Sequence, residues 1–311
     1  MLRITADVFS GRPNPSWLIE DEAEAKAVLR ELARNRDLYA DGEAVNGGLG
    51  LRGFRLEPLG DELAHDYGLG DSAYVSVTGA AAISDAAGFA ERLVGLIGRD
   101  GIELEDAPRD AVPLEQSLAD FLSGQLEAAA LTATSQVSAT DGQAADAKEA
   151  AAPGDVTCMI ELGAFNPGFW NNDPTVRSSN NCYNYASNWR TNTFAQPGRG
   201  CGNIYTRIDC AEVSRAALCD GMHHRFDCFP DTEKPRYLVA LVIAPGPGFV
   251  DYHWFRKQKE GFWGHKPGGT AARNTDNSNQ VIFNPETANR GPYTIFCGYF
   301  YGCNSQRRRI R

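Results

Sequence analysis

All eight cysteines of this chain fall after residue 157, at positions 158, 182, 201, 210, 219, 228, 297 and 303, and none falls before it. That segregation divides the chain more sharply than any other feature. Between the two parts, from Leu131 to Asp155, Ala, Thr, Ser, Gln, Asp and Gly dominate, and bulky apolar side chains almost vanish. A segment with so little to bury cannot offset the entropy of ordering its backbone, so it reads as a flexible linker. The expected organisation is an accessory α+β module over 1–130, a linker over 131–157 and a cysteine-bearing domain over 158–311. A chain of 311 residues has room for two domains.

Charge divides the chain in the same place. Residues 1–157 hold 28 Asp/Glu against 12 Lys/Arg, and residues 158–311 hold 12 against 18, within a net charge of -10. The acidic half is therefore expected to attract the basic half, an intramolecular contact between N-terminal and C-terminal parts. The basic tail Arg307-Arg308-Arg309-Ile310-Arg311 reads as a solvated end or as part of that contact, not as a nucleic-acid arm. No apolar run approaches the roughly 20 residues that span a bilayer, so no membrane partner is expected. The first residues lack the long apolar stretch of a secretory leader, whereas an even number of cysteines in one domain suggests disulfides and a secreted or extracytoplasmic setting. These two signals oppose each other and leave the compartment open.

Patterning gives the elements. Ile4 to Ser10 alternates as a strand, and Gly11-Arg12-Pro13-Asn14-Pro15 forms an irregular turn that two prolines keep out of helix and central sheet, with Trp17 pinning it to the core. Helical spacing runs over 20–36, 86–97 and 113–129, and Tyr74 to Val77 reads as a further strand. The glycines of 47–56 do not follow a phosphate-loop spacing, and no nucleotide or other cofactor is expected. In the second half, helices are predicted from Cys182 to about Arg190 and from Cys210 to Asp220. Tyr237 to Ala244 is a near-continuous apolar run that reads as a central, doubly covered strand. Strands at 250–256, 262–265, 280–283 and 297–300 complete an antiparallel meander. Helices followed by strands give an α+β domain with a helical layer on an antiparallel sheet.

The stretch Asn180-Asn181-Cys182-Tyr183-Asn184-Tyr185-Ala186 places one cysteine where a polar loop becomes a helix. Unpaired backbone N–H groups at a helix start favour thiolate, which makes Cys182 a candidate nucleophile. A nucleophile needs a base, and His265 in Gly261-Phe262-Trp263-Gly264-His265-Lys266-Pro267-Gly268-Gly269 is the candidate. The bland alternatives are a disulfide partner for Cys182 and a turn cap for His265. A second cluster, Cys219, His223, His224 and Cys228, has zinc-ligand types, but four ligands within ten residues are sterically awkward, so a disulfide-closed loop with exposed histidines is expected and no metal. His253, beside Trp254 in an aromatic strand, reads as a core or substrate-groove residue.

A helix-borne cysteine followed by a strand-borne histidine resembles the papain-like cysteine peptidase and amidase superfamily, including its CHAP-type and NlpC-type members. More narrowly, the two blocks resemble a group of proteins carrying Asn-Cys-Tyr-Asn-Tyr-Ala and Trp-Ser-His-Lys-Pro-Gly. The resemblance spans roughly residues 171–301. It departs from papain in having no Gln at the expected distance before Cys182 and no Cys-Trp pair. It implies attack of the Cys182 thiolate on a peptide or other amide, with His265 moving the proton through an acyl-enzyme. It also implies an orienting residue on the strand after His265, for which Asn284 is the first choice and Asp276 the second. The Cys182 N–H with Asn180 or Asn181 would supply the oxyanion hole. The competing class is a non-catalytic, disulfide-stabilised binding or matrix protein that uses its Tyr- and Trp-rich face for recognition.

Overall fold

Alternation in the first strand sets the frame. Leu2, Ile4 and Ala6 point to one side of β1 (Leu2–Asp7) and are fully buried, while Arg3 and Thr5 point to the other and are only half-buried. The computed structural model describes residues 1–41, 48–60, 67–77, 84–100, 115–134, 160–224 and 230–311. β1 is flanked by β2 (Ser16–Ile19) and β4 (Gly53–Pro58), then β5 (Ala73–Ser76) and β3 (Ala40–Asp41), all antiparallel, in the order β2-β1-β4-β5-β3. Apolar side chains on its inner face pack with α1 (Glu22–Arg34), α2 (Ser84–Asp100) and α3 (Gln116–Thr134). Helix α1 starts where the Asp21 carboxylate accepts the Ala23 and Glu24 N–H groups, and it buries Ala25, Val28, Leu29 and Leu32 at helical spacing.

The second half carries short helices α4 (Gly168–Asn171), α5 (Pro174–Ser179) and α6 (Cys182–Ser187), then α7 (Cys210–Cys219) and a C-terminal α8 (Asn304–Arg307). Its sheet contains β6 (His223–His224), β7 (Tyr237–Pro245), β8 (Val250–Lys257), β9 (Trp263–His265) and β10 (Ile295–Gly302), in the order β6-β10-β7-β8-β9, again antiparallel. The run Tyr237 to Ala244 is the central strand and is covered on both faces. The chain is thus an α+β protein with two antiparallel sheets. No helix among the described residues is long and apolar enough to cross a membrane.

The two faces of the second sheet meet different partners. Val239, Leu241, Ile243, Tyr252 and Trp254 pack with Cys182, Tyr183, Ala186 and the apolar side of α7. Ala240, Val242, Ala244, Phe255 and Trp263 join one buried cluster with Leu2, Ile4, Phe54, Leu122 and other side chains of the first half. The halves therefore share a core, and the expected contact between N-terminal and C-terminal parts is made through it. Much of the expected linker, residues 135–157, lies outside the described residues, and 131–134 continue α3.

A buried carboxylate fastens this contact. Asp251 Oδ2 accepts the N–H of Ser10 at 2.5 Å and of Gly11 at 3.1 Å, Oδ1 accepts Arg12 N–H at 3.1 Å, and the Tyr293 hydroxyl donates to Oδ2 at 2.6 Å. The Gly11 carbonyl in turn accepts from Asn181 Nδ2, Gln196 Nε2 and the Tyr252 hydroxyl, at 2.8, 2.8 and 2.9 Å. A Cβ at Gly11 would lie 2.5 Å from Tyr252, which explains the glycine. Beside this turn, fully buried Arg52 pairs with Asp7 at 2.7 Å, and Tyr74 and Asn14 donate to the same carboxylate. The pairing holds the Asp7 carboxyl below its usual range against the opposing effect of burial.

Asp251→Ala leaves three backbone donors and a phenol without an acceptor, so a loss of about 3 kcal/mol or more is expected in urea unfolding, and Gly11→Ala should also destabilise. Residues 160–311 produced alone expose the Phe255 face of their sheet. They are expected to lack the dispersed amide spectrum of the intact chain.

Candidate functional site

The helix start predicted at Cys182 is where α6 begins, and the asparagines around it explain why. Asn181 is the cap, its Oδ1 accepting the Tyr183 and Asn184 N–H groups at 3.1 and 3.2 Å, while Asn184 Oδ1 accepts the Asn181 N–H at 3.1 Å. The remaining amide atoms are also committed. Asn180 Oδ1 accepts Thr191 and Asn192 N–H, and its Nδ2 donates to the Val176 carbonyl and Asn192 Oδ1. Asn181 Nδ2 donates to Gly11 and Ala195 carbonyls, and Asn184 binds Trp189, Thr191 and Ala195. All three are buried. Asn180 and Asn181, expected in an oxyanion hole, instead shape the 188–196 loop and attach it to the first half.

Cys182 itself is fully buried and unbonded to another sulfur. Its thiol pKa is pushed well above the usual value, first by burial and then by the Asp251 charge, and these outweigh the backbone hydrogen bonding of Trp254 and the Lys266 charge that favour thiolate. This corrects the expectation of an activated thiolate. The helix start is present, but the dry environment dominates it.

His265 lies on the other side of the sheet. In the β8–β9 register it sits opposite Phe255, and its ring stacks on that residue at 5.2 Å, on the face that meets the first half. Cys182 packs against Tyr252 and Trp254, which alternate with Phe255 along β8 and so occupy the opposite face. The structure does not bring thiol and imidazole together. Both ring nitrogens of His265 are engaged, Nε2 with the Thr275 carbonyl and Nδ1 with His253 Nε2, each at 2.9 Å. Burial, with a smaller contribution from Arg273, depresses its pKa to about 3, so the ring is neutral. A carbonyl only accepts, so Nε2 carries the hydrogen, His265 Nδ1 is the acceptor and His253 Nε2 donates. His253 Nδ1 is then a bare lone pair, and it has no hydrogen-bond partner among the described residues.

The remaining predicted residues serve the backbone. Gln280 to Phe283 does not form a strand; Val281 makes one isolated bridge to Thr275, and Phe283 is 60% exposed. Asn284 is exposed, and its Oδ1 accepts the Glu286 N–H across Pro285, a local turn. Asp276 caps its own loop by accepting the N–H groups of Ser278, Gln280 and Asn289. Lys266, fully buried, donates to the carbonyls of Arg177, Asn180 and Gly268, so the His-Lys-Pro-Gly block clasps the end of α5. Cys219 is bonded to Cys201 and not within its own loop, while Cys210 is bonded to Cys297; Cys158 and Cys228 lie outside the described residues. Among the described residues no group of three or more His, Cys, Asp or Glu is placed to hold a metal.

Sequence reasoning passed over Asp251 and Gly11. Their signal was an acid on the apolar face of an otherwise aromatic strand and a glycine ahead of two prolines.

Both buried histidines are neutral when folded, their pKa values held below the ordinary histidine value of about 6.5, chiefly by burial. Stability present above pH 6.5 is therefore lost as pH falls toward 3, because only the unfolded chain takes up the protons. Unfolding free energies from urea titrations between pH 7 and pH 4 should decline with a slope of up to about 1.4 kcal/mol per pH unit for each histidine. His253→Phe removes one titrating group and should flatten the slope.

Insoluble matrix shell protein 1 of Ruditapes philippinarum is 48% identical to this chain over 135 residues, which make up 43% of this chain and 86% of that protein. No family model matches the chain, and no solved structure matches it.

Proposed function

The chain belongs to the family of insoluble matrix shell protein 1, and from that premise we propose that it acts as a non-catalytic, disulfide-stabilised matrix or binding protein. The observation that carries this reading is the placement of Cys182 and His265 on opposite faces of one sheet, with every nitrogen of the imidazole already hydrogen-bonded. Among the described residues no imidazole lies on the thiol's side of the sheet, and the thiol is fully buried. The two blocks that resemble a thiol hydrolase are consumed in capping α6, clasping α5 and fixing the 188–196 loop.

The disulfides fit a covalently braced scaffold in an oxidising setting. Cys210–Cys297 closes a loop of 87 residues and Cys201–Cys219 one of 18, for which chain-entropy estimates are roughly 4–5 and roughly 3 kcal/mol. Both tether α7, one end to the preceding loop and the other to β10.

Native protein treated with an iodoacetamide probe should leave Cys182 unmodified until denaturant is added. A panel of peptides and esters should show no turnover that disappears in Cys182→Ala. Stoichiometric labelling of Cys182 in the folded chain, or turnover that this substitution abolishes, would return the protein to the thiol hydrolases.

A further inference from the structure

In the second half Arg207 pairs with Asp209, Arg215 with Glu212, Lys234 with Asp231 and Arg236 with Glu161. Arg190, Arg199, Arg307, Arg308, Arg309 and Arg311 make no such pair among the described residues, and the fold gathers these six on one seam. The residues that follow α8 lie along the loop that follows α6. Arg307 stacks on the Trp189 ring at 4.7 Å, the Arg309 carbonyl packs on Gly200, where a Cβ would lie 2.0 Å from it, and the Arg311 carbonyl accepts the Gln196 N–H at 2.9 Å. Arg190 extends the seam past Trp189 by stacking on Phe169 at 3.3 Å. Both aromatic rings are exposed.

The carboxylates that face this seam are already occupied. Asp220 feels the Arg309 charge, but it accepts the Gly198 and Cys201 N–H groups and the Tyr183 hydroxyl. Glu233 accepts the N–H and hydroxyl of Ser305 at the start of α8. Arg309 donates to the Cys219 carbonyl, whereas Arg199, Arg308 and Arg311 are exposed, with no hydrogen bond or ion pair from their guanidinium groups among the described residues.

Across the second sheet the charge is reversed. Ile310 and Ala195, which anchor the seam, pack with Val239, Leu241 and Trp254, whereas α3 buries Leu118, Leu122 and Leu126 with Ala240, Val242 and Phe255. Neighbouring residues of a strand point to opposite sides, so the seam and α3 lie on opposite faces. Asp120 and Glu127, two helical turns apart, share the outward side of α3, and Glu115 is exposed just before it. No Lys or Arg occurs from 115 to 134, and none of the three acids is in an ion pair among the described residues. The arginines of α2, Arg92 and Arg99, are taken by Glu31 and Glu24.

We propose that the arginine seam binds the acidic α3 face of a second copy of this chain, and that the contact repeats from copy to copy. The two patches lie on opposite faces of one molecule, so the pairing is heterologous and each added copy leaves a new seam or a new α3 open; growth does not stop at a dimer. Trp189, covered on one face by Arg307, supplies an aromatic anchor of the kind that dominates protein interfaces. Charges more than about 10 Å apart are largely screened at 0.1 M salt, so the facing patches prevail over the repulsion between two molecules of net charge -10. The inference goes beyond the matrix reading and rests on surface charge, not on the state of the thiol.

The test is sedimentation velocity of the full-length protein over a range of concentrations, in about 0.05 M and about 0.5 M NaCl. Species larger than a dimer should grow with concentration at low salt and dissociate at high salt. Arg199→Glu/Arg308→Glu/Arg311→Glu and, separately, Glu115→Lys/Asp120→Lys/Glu127→Lys should each weaken association tenfold or more at the parent's melting temperature, since the only side-chain hydrogen bond lost is Asp120 to Gln116. Arg308→Gln/Arg311→Gln, which removes charge without adding any, should weaken it in the same direction. An equimolar mixture of the two reversed variants should recover association, because each presents the charge that the other has lost. A monomer at every concentration, growth that ends at the dimer, assembly indifferent to salt, a reversed variant that assembles as the parent does, a mixture that stays dissociated, or a requirement for an added sulfated polysaccharide would overturn the proposal.

Discussion

One carboxylate carries the architecture. Asp251 reaches out of β8 into the turn that follows β1 and takes three consecutive backbone N–H groups, which no strand or helix of the first half satisfies. Burying such donors without an acceptor costs more than most single contacts return. Burial pushes the Asp251 carboxyl pKa up, and the hydrogen bonds from Tyr293 and from the backbone of Ser10, Gly11 and Arg12 oppose that rise. The acid and the turn thus depend on each other. The shared apolar core and the position of the 188–196 loop both depend on that contact.

Around it, polar side chains that resemble catalytic machinery do structural work. Asparagine is well suited to this, since one side chain offers two donors and an acceptor and can hold an irregular backbone from several directions. The three asparagines at 180, 181 and 184 use these capacities on the cap of α6, on the turn at Gly11 and on the loop that carries Phe194. The paired imidazoles of His253 and His265 solve a similar problem inside the sheet. Keeping both neutral lets one donate to the other without placing a charge in the apolar interior.

The sequence made the local structure legible where a periodic signal was strong. The apolar run at 237–244, the acidic-capped helix after Asp21 and the helix start at Cys182 are all where patterning put them. It was silent about which side of a sheet each residue faces relative to distant partners. Cys182 and His265 were each read from their immediate neighbours, and a strand alternates its faces every residue, so one step of register decides whether two such groups meet. Cysteine content and charge change at residue 157, but neither reports that Phe255 and Leu122 belong to one core. The stretch 280–283 had strand composition, yet it makes scattered backbone bonds, between Gln280 and Asp276 and between Ile282 and both Trp263 and Asn274, and one isolated bridge at Val281, with Asp276 fixing the turn between, and no continuous ladder forms.

The long reach of the Ser10–Asp251 contact bears on how the chain comes into being. A ribosome releases the turn at Gly11 roughly 240 residues before it releases the strand that receives it. Until then those amides are solvated, and the sheet around β1 lacks one of its walls. Contacts of such sequence separation make folding slow and late, so the nascent first half must wait in water for its counterpart. Its surplus of acidic groups, by mutual repulsion, keeps neighbouring unfinished chains apart during that interval.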